Sequence, residues 1–250
     1  MTNDQSRTHF YERLRWALRK GRHDEARARE PLFPALEGEP RWQTNGGGPA
    51  PEVLESFERE LLGAGATFTR LSNREALRSA IDELARAKQV RSAVAGSYPI
   101  LERLGVVETL RAAGVEVRSW SLEAGGAGAS GRLPHAGVEE LKTADLGLTG
   151  VDWAIAETGT LVIFSRPGRP RLTSLVPPIH LAVMTPESLL TGVEDFFAGL
   201  RPAYLNDAAY STSAITLITG SSRTGDIEHK LTRGVHGPKE VHVLYWEGDR

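Results

Sequence analysis

Residues 66–120 run ATFTRLSNREALRSAIDELARAKQVRSAVAGSYPILERLGVVETLRAAGVEVRSW, and this stretch decides the fold. Ala66 to Leu71 is a short apolar segment of strand type. Ser72-Asn73-Arg74-Glu75 has the spacing of a capping box, which satisfies the free N–H groups of a helix start, and predicts a helix to Lys88. Arg91 to Ala95 is the next strand. Leu101 to Ala113 is helical and stops at Gly114. Val115 to Trp120 is strand again. Such alternation predicts an α/β fold: a mainly parallel sheet flanked by helices.

Downstream the alternation continues. Ala144 to Gly150 is a predicted strand. Trp153 to Phe164, interrupted at Thr158-Gly159, is a strand pair or a bent strand. Ile179 to Met184 is a strand, and Pro186 opens a helix reaching Leu200. Ala214 to Thr219 is a buried strand, Asp226 to Thr232 a short helix, and Val241 to Trp246 the closing strand. Residues 121–136, rich in Gly, Ala and Ser, form a loop.

Upstream, Phe10, Leu14 and Leu18 recur at helical spacing in a helix over 6–20 that Ser6 can cap. Residues 34–51 hold four prolines and Gly46-Gly47-Gly48, a linker composition. A second helix covers 51–63 and ends at Gly63 or Gly65. The chain thus divides into a helical N-terminal extension and linker, 1–60, and an α/β domain, 61–250. No internal repeat is visible.

Composition narrows the function classes. The 250 residues are 40% hydrophobic and 25% charged, ordinary for a soluble globular protein. The net charge of −2 shows no nucleic-acid bias. The locally basic stretch Arg13–Arg29 reads as a solvated helix face. Cysteine is absent, which excludes thiolate nucleophiles, thiolate zinc sites and Cys-ligated iron–sulfur clusters in this chain. No run of about 18 apolar residues predicts a membrane span. The N-terminus lacks the basic and apolar blocks of a signal peptide, so a cytoplasmic protein is expected.

Three later segments concentrate chemistry. In the first, Glu157 follows an apolar run and precedes Thr158-Gly159-Thr160. A carboxylate where a strand meets a glycine turn can act as base, nucleophile or ligand. It can equally accept backbone N–H bonds of the turn. Asp152 reads as a turn cap. In the second, Arg169 to His180, Pro177-Pro178 fixes the backbone ahead of a strand, and a cis bond is available there. Arg171 can pair with an anion. His180 can meet a substrate or be structural. In the third, a strand runs into Gly220-Ser221-Ser222-Arg223-Thr224-Gly225 and a predicted helix opening with Asp226 and Glu228. Free N–H groups at a helix start, three hydroxyls and a guanidinium make an anion cradle for a carboxylate or phosphate. The same residue types also serve as simple caps. The segment is neither a P-loop nor a dinucleotide fingerprint. His236 lies in a rigid turn, Gly234 to Pro238. His229, His236 and His242 lack zinc-helix spacing, so no metal site is expected.

Together these segments resemble the lactate-utilization (LUD) domain family. The match rests on Thr149-Gly150, Ala154 to Thr160, Leu175 to His180, Ser221 to Glu228 and Gly234 to Pro238, in that order, over about residues 60–246. One departure is Gly225, where the family usually has Ala. The resemblance implies a fold like that of the NagB/RpiA/CoA-transferase group, whose members bind sugar phosphates or acyl-CoA at the carboxyl ends of a parallel sheet. It also implies a role in oxidising L-lactate to pyruvate beside one Cys-rich partner and another carrying iron–sulfur clusters. Glu157-Thr158-Gly159 looks like the catalytic Glu motif of CoA transferases, although Thr158 stands where Asn is usual.

Three functions compete on these residues. The first is an accessory component of a lactate-oxidising system, binding a small anion or partner subunits. The second is an independent enzyme acting on a phosphorylated or CoA-linked metabolite. The third is an interaction module with no chemistry. All expected sites share one premise, that Glu157 and the 221–224 turn open into a common hollow at the carboxyl edge of the sheet.

Overall fold

The computed structural model describes residues 49–119, 141–166, 168–206, 212, 214–225 and 231–248. The helix over 6–20, the linker, the basic stretch, Trp120, the loop at 121–136, Asp226 and Glu228 lie outside the described residues.

Helix α1 (Pro51–Gly63) starts on a proline and buries Phe57 and Leu61 in the same core as the strands. Strand β1 (Thr67–Leu71) leads to α2 (Arg74–Ala87). The cap of α2 is Asn73, whose Oδ1 accepts from the Ala76 N–H at 2.8 Å, so the cap falls one residue later than the Ser72 box predicts. Leu77, Ile81 and Ala85, at four-residue spacing, form its buried stripe.

After β2 (Ser92–Ala95) the expected single helix is two. Helices α3 (Pro99–Leu104) and α4 (Val106–Ala112) meet at Gly105, whose φ of 65° breaks the helical path. Strands β3 (Glu116–Ser119), β4 (Leu146–Gly150), β7 (Ile179–Met184) and β12 (Glu240–Trp246) complete one sheet of order β1-β12-β7-β4-β2-β3. Every pairing in it is parallel. The closing strand therefore lies between β1 and β7 rather than at an edge.

A second sheet was not predicted. The hairpin β5 (Trp153–Ile155) and β6 (Thr160–Ser165) takes β8 (Leu189–Leu190) on one side and β9 (Ala214–Ile218) on the other. Ala154, Leu161, Ile163, Leu189 and Ile218 join the main core. Trp153, Ile155, Val162, Phe164 and Leu190 form a smaller core with Phe196 of α5 (Val193–Asn206).

Three expectations are corrected here. Pro186 opens only a 3-10 turn, Pro186–Ser188, because Leu189 and Leu190 pair with β5; the helix begins after Gly192. Strand β9 is a partly exposed edge, with Leu217 52% accessible, not a buried strand. Residues 231–232 are not helical. They belong to β11 (Leu231–Arg233), which pairs antiparallel with β10 (Arg223–Gly225). Among the described residues no peptide bond is cis, including that of Pro177-Pro178, and no helix is long and apolar enough to cross a membrane.

Candidate functional site

The turn between β5 and β6 is built around Gly159, at φ 61°. A Cβ there would stand 2.3 Å from the Leu61 backbone nitrogen, so only glycine lets α1 approach. Gly220, at φ 75°, is pressed against Ala64 in the same way, and a Cβ there would stand 2.2 Å from the Ala64 carbonyl oxygen. Between these glycines runs a line of hydroxyls. Thr158 Oγ1 lies 2.7 Å from Thr160 Oγ1, which lies 2.7 Å from Thr219 Oγ1. The two expected site loops are therefore neighbours, joined by hydrogen bonds around the end of α1.

Their place on the sheet is the opposite of the expected one. The Ser222 N–H donates to Pro238 O and the Lys239 N–H to Pro178 O. Pro178 and Pro238 precede β7 and β12, and Ala64 precedes β1. The cluster thus sits at the amino ends of the parallel strands. Nor does the cradle open a helix, because Arg223, Thr224 and Gly225 are strand residues paired with Arg233, Thr232 and Leu231.

The individual side chains divide into two groups. Glu157 is exposed, but its Oε2 accepts from the Val193 N–H at 3.0 Å, so the carboxylate caps α5 at the positive end of the helix dipole. Ser221 is buried, and its Oγ has no hydrogen-bond partner among the described residues. Arg223 is exposed and lies across Gly65, beside the carboxyl end of α1. Ser222 packs on Gly237, and His236 is exposed in the same turn. His180 is remote from solvent: it is fully buried, and its Nε2 is 2.9 Å from Thr149 Oγ1. Burial, reinforced by His242, lowers its pKa to about 3, so the ring stays neutral.

At the opposite end of the sheet lies a polar network that the sequence reading did not assemble. Asp152 accepts from the Phe164 N–H at 2.8 Å. Its Oδ1 lies 3.4 Å from Arg169 Nη1 and 3.6 Å from Arg166 Nη2. Arg169 donates through Nε to Ser97 O at 2.7 Å, and its guanidinium stacks on Tyr98 at 4.5 Å from the ring centre. Burial pushes the Asp152 pKa up against the opposing pull of the Phe164 N–H and both arginines. The signal in the sequence was Arg166-Pro167-Gly168-Arg169, a turn with a cation at each end. Asp152 is an ion-pair partner and not merely a turn cap. A separate cleft of about 140 Å³ lies between Arg74, Thr185, Glu187 and Trp246. That is smaller than the ~300–1,000 Å³ of typical ligand pockets. Among the described residues no group of three or more His, Cys, Asp or Glu is placed to hold a metal ion.

Comparison with known proteins agrees with this architecture. The LUD domain profile matches residues 54–245. A protein of Halalkalibacterium halodurans named Lactate utilization protein C is 32% identical over 164 residues, 65% of this chain and 65% of that protein, so just under two thirds of its length is matched. Its namesake in Deinococcus radiodurans is 30% identical over 206 residues, 78% of this chain and 82% of the other. The crystal structure of a DUF162 family protein from D. radiodurans superposes with a TM-score of 0.51 at 25% identity, covering 78% of this chain and 96% of that one.

Proposed function

The chain belongs to the LUD domain family, and on that premise we propose that it is an accessory component of a cytoplasmic system oxidising L-lactate to pyruvate. Its relatives carry the name Lactate utilization protein C. In this reading the chain contributes binding rather than electron transfer. It has no cysteine to ligate an iron–sulfur cluster, and clusters reside on a partner subunit beside a second, Cys-rich one.

One observation favours this reading over an independent acyl-transfer enzyme. The Glu157 carboxylate is committed to the Val193 N–H as a helix cap. A thioester-forming nucleophile would have to give up that bond. The neighbouring turn offers exposed Arg223, Val235 and His236, a surface suited to an anion or a partner chain.

The test is genetic and biochemical. Deleting the gene should abolish or slow growth on L-lactate as sole carbon source, while growth on pyruvate stays normal. The tagged full chain should co-purify with a cluster-bearing partner from lactate-grown cells. Normal growth on lactate, with no such partner recovered, defeats the proposal. Thermal stabilisation by an acyl-CoA or sugar phosphate that disappears in Arg223→Ala would favour the independent enzyme instead.

A further inference from the structure

Strands β2 and β4 are neighbours, yet the chain leaves them in opposite directions. After β2 it passes through α3 and α4 to β3, at one edge of the sheet. After β4 it passes through the second sheet to β7 and then β12, toward the other edge. In an open parallel sheet such a reversal leaves a crevice at the carboxyl ends of the two strands, and ligands bind there.

The groups that meet at this reversal are not those of an ordinary core. Gly96-Ser97-Tyr98 follows β2, and Gly150 and Asp152 stand at the end of β4. The turn 166–169 reaches across to them from β6, with the Ser97 N–H donating to Gly168 O at 2.9 Å. A Cβ at Gly96 would lie 2.6 Å from the Tyr98 ring, and one at Gly150 2.8 Å from it. Both positions are bare, and the aromatic ring lies over them. Arg169 lies on that ring. Of the five N–H donors of its guanidinium, one meets Ser97 O and one Asp152. Its Nη2 has no acceptor among the described residues, and the side chain keeps 17% of its surface accessible. Arg166 converges on the same carboxylate from the other end of the turn.

We propose that this reversal at the carboxyl ends of β2 and β4 is a binding site for a small carboxylate anion, received by the uncommitted N–H groups of Arg169 and flanked by Arg166 and the Tyr98 ring. A planar guanidinium with free donors matches a carboxylate or a phosphate in geometry and charge. The half-buried setting strengthens the interaction relative to an open surface. Asp152 is the internal competitor, holding the arginines in place while no ligand is bound. The site stands on topology and contacts alone, so it can fail while the lactate reading survives, and the reverse.

Titration of the full chain by isothermal calorimetry or NMR tests it, with acetate, L-lactate, pyruvate and inorganic phosphate as separate probes. At least one of the three carboxylates should bind. Arg169→Ala should weaken that binding by about tenfold or more. Arg86→Ala, on the exposed face of α2, should leave it unchanged. Because Arg169→Ala removes a half-buried ion pair and can impair folding, Asp152→Asn provides the second arm. Asparagine keeps an acceptor for the Phe164 N–H but removes the competing charge, so carboxylate binding should tighten several-fold. A merely structural network predicts no binding in either protein. Absence of carboxylate binding, binding of phosphate alone, or loss of binding in Asp152→Asn with the fold intact would each overturn the assignment.

Discussion

His180 is second in β7, with no accessible surface and, among the described residues, a single side-chain hydrogen-bond partner, Thr149. A histidine buried in neutral form couples folding to pH. Its folded pKa, about 3, is far below the unfolded value of about 6.5, so the unfolded chain binds the extra proton. Stability from this group is complete above pH 6.5 and is lost as pH falls toward 3. Between pH 7.5 and pH 5 the wild type should lose about 2 kcal/mol more than His180→Gln does. Urea denaturation at the two pH values reads the difference, and parallel losses in both proteins would contradict it. Glu157 yields a second prediction at this scale. Glu157→Ala removes the acceptor for the Val193 N–H and should cost about 1 kcal/mol, whereas Glu157→Gln should cost less and leave growth on lactate intact. Failure of the Gln variant to support growth, with stability preserved, would restore a chemical role for the carboxylate. The pattern of an apolar run, Glu and a glycine turn drew attention to residue 157, with a chemical role and backbone capping both open. What the carboxylate does was not legible, because its partner lies 36 residues away and is an amide, which every residue type but proline supplies.

Elements were read best where local signals and tertiary pairing agreed. β1, α2, β2 and β7 fall within a residue or two of their predicted bounds, since alternation, caps and glycine stops all point one way there. The departures share one cause. After Pro186 the composition favours a helix, but Leu189 and Leu190 gain more by adding to β5 and burying against both cores. After Gly225 the composition again favours a helix, yet Leu231–Arg233 pairs with β10. Strand pairing overrides local helix propensity in both places, from a distant segment in the case of β5 and β8 and within a short antiparallel pair in the case of β10 and β11. The helix cap is a smaller instance. Ser72 and Asn73 are both competent caps, and only Asn73 takes the Ala76 N–H. Asn73→Ala should therefore lower stability by about 1 kcal/mol, while Ser72→Ala should lie within a few tenths of the wild type. Chemical denaturation of the two variants separates them, and a larger loss in Ser72→Ala would reinstate the box read from spacing.

At the scale of the whole molecule, the parallel sheet was legible because its strand–helix–strand units from β1 to β3 announce themselves. The second sheet was not, because its strands are short and come from three separate stretches, 153–165, 189–190 and 214–218. That hidden sheet also explains why the expected site lies at the wrong end. β5 leaves the carboxyl end of β4, and the hairpin it opens brings Gly159 and Thr160 to the end of α1, at the amino end of the parallel strands. The two sheets should differ in how they open. β7 is paired on both sides, by β4 and β12, and all six of its residues are buried. Its amides can meet solvent only when the whole core comes apart. Among the described residues β9 is paired only by β6, and Leu217 is half exposed, so its amides need only a local opening. Hydrogen exchange followed by mass spectrometry should find 179–184 exchanging at the rate of global unfolding. The 214–218 segment should exchange at least about a hundredfold faster, a gap of about 3 kcal/mol in opening free energy. Equal protection in the two segments would mean that the second sheet opens only together with the first. The chain would then have a single cooperative core in place of a rigid parallel sheet carrying a looser mixed one.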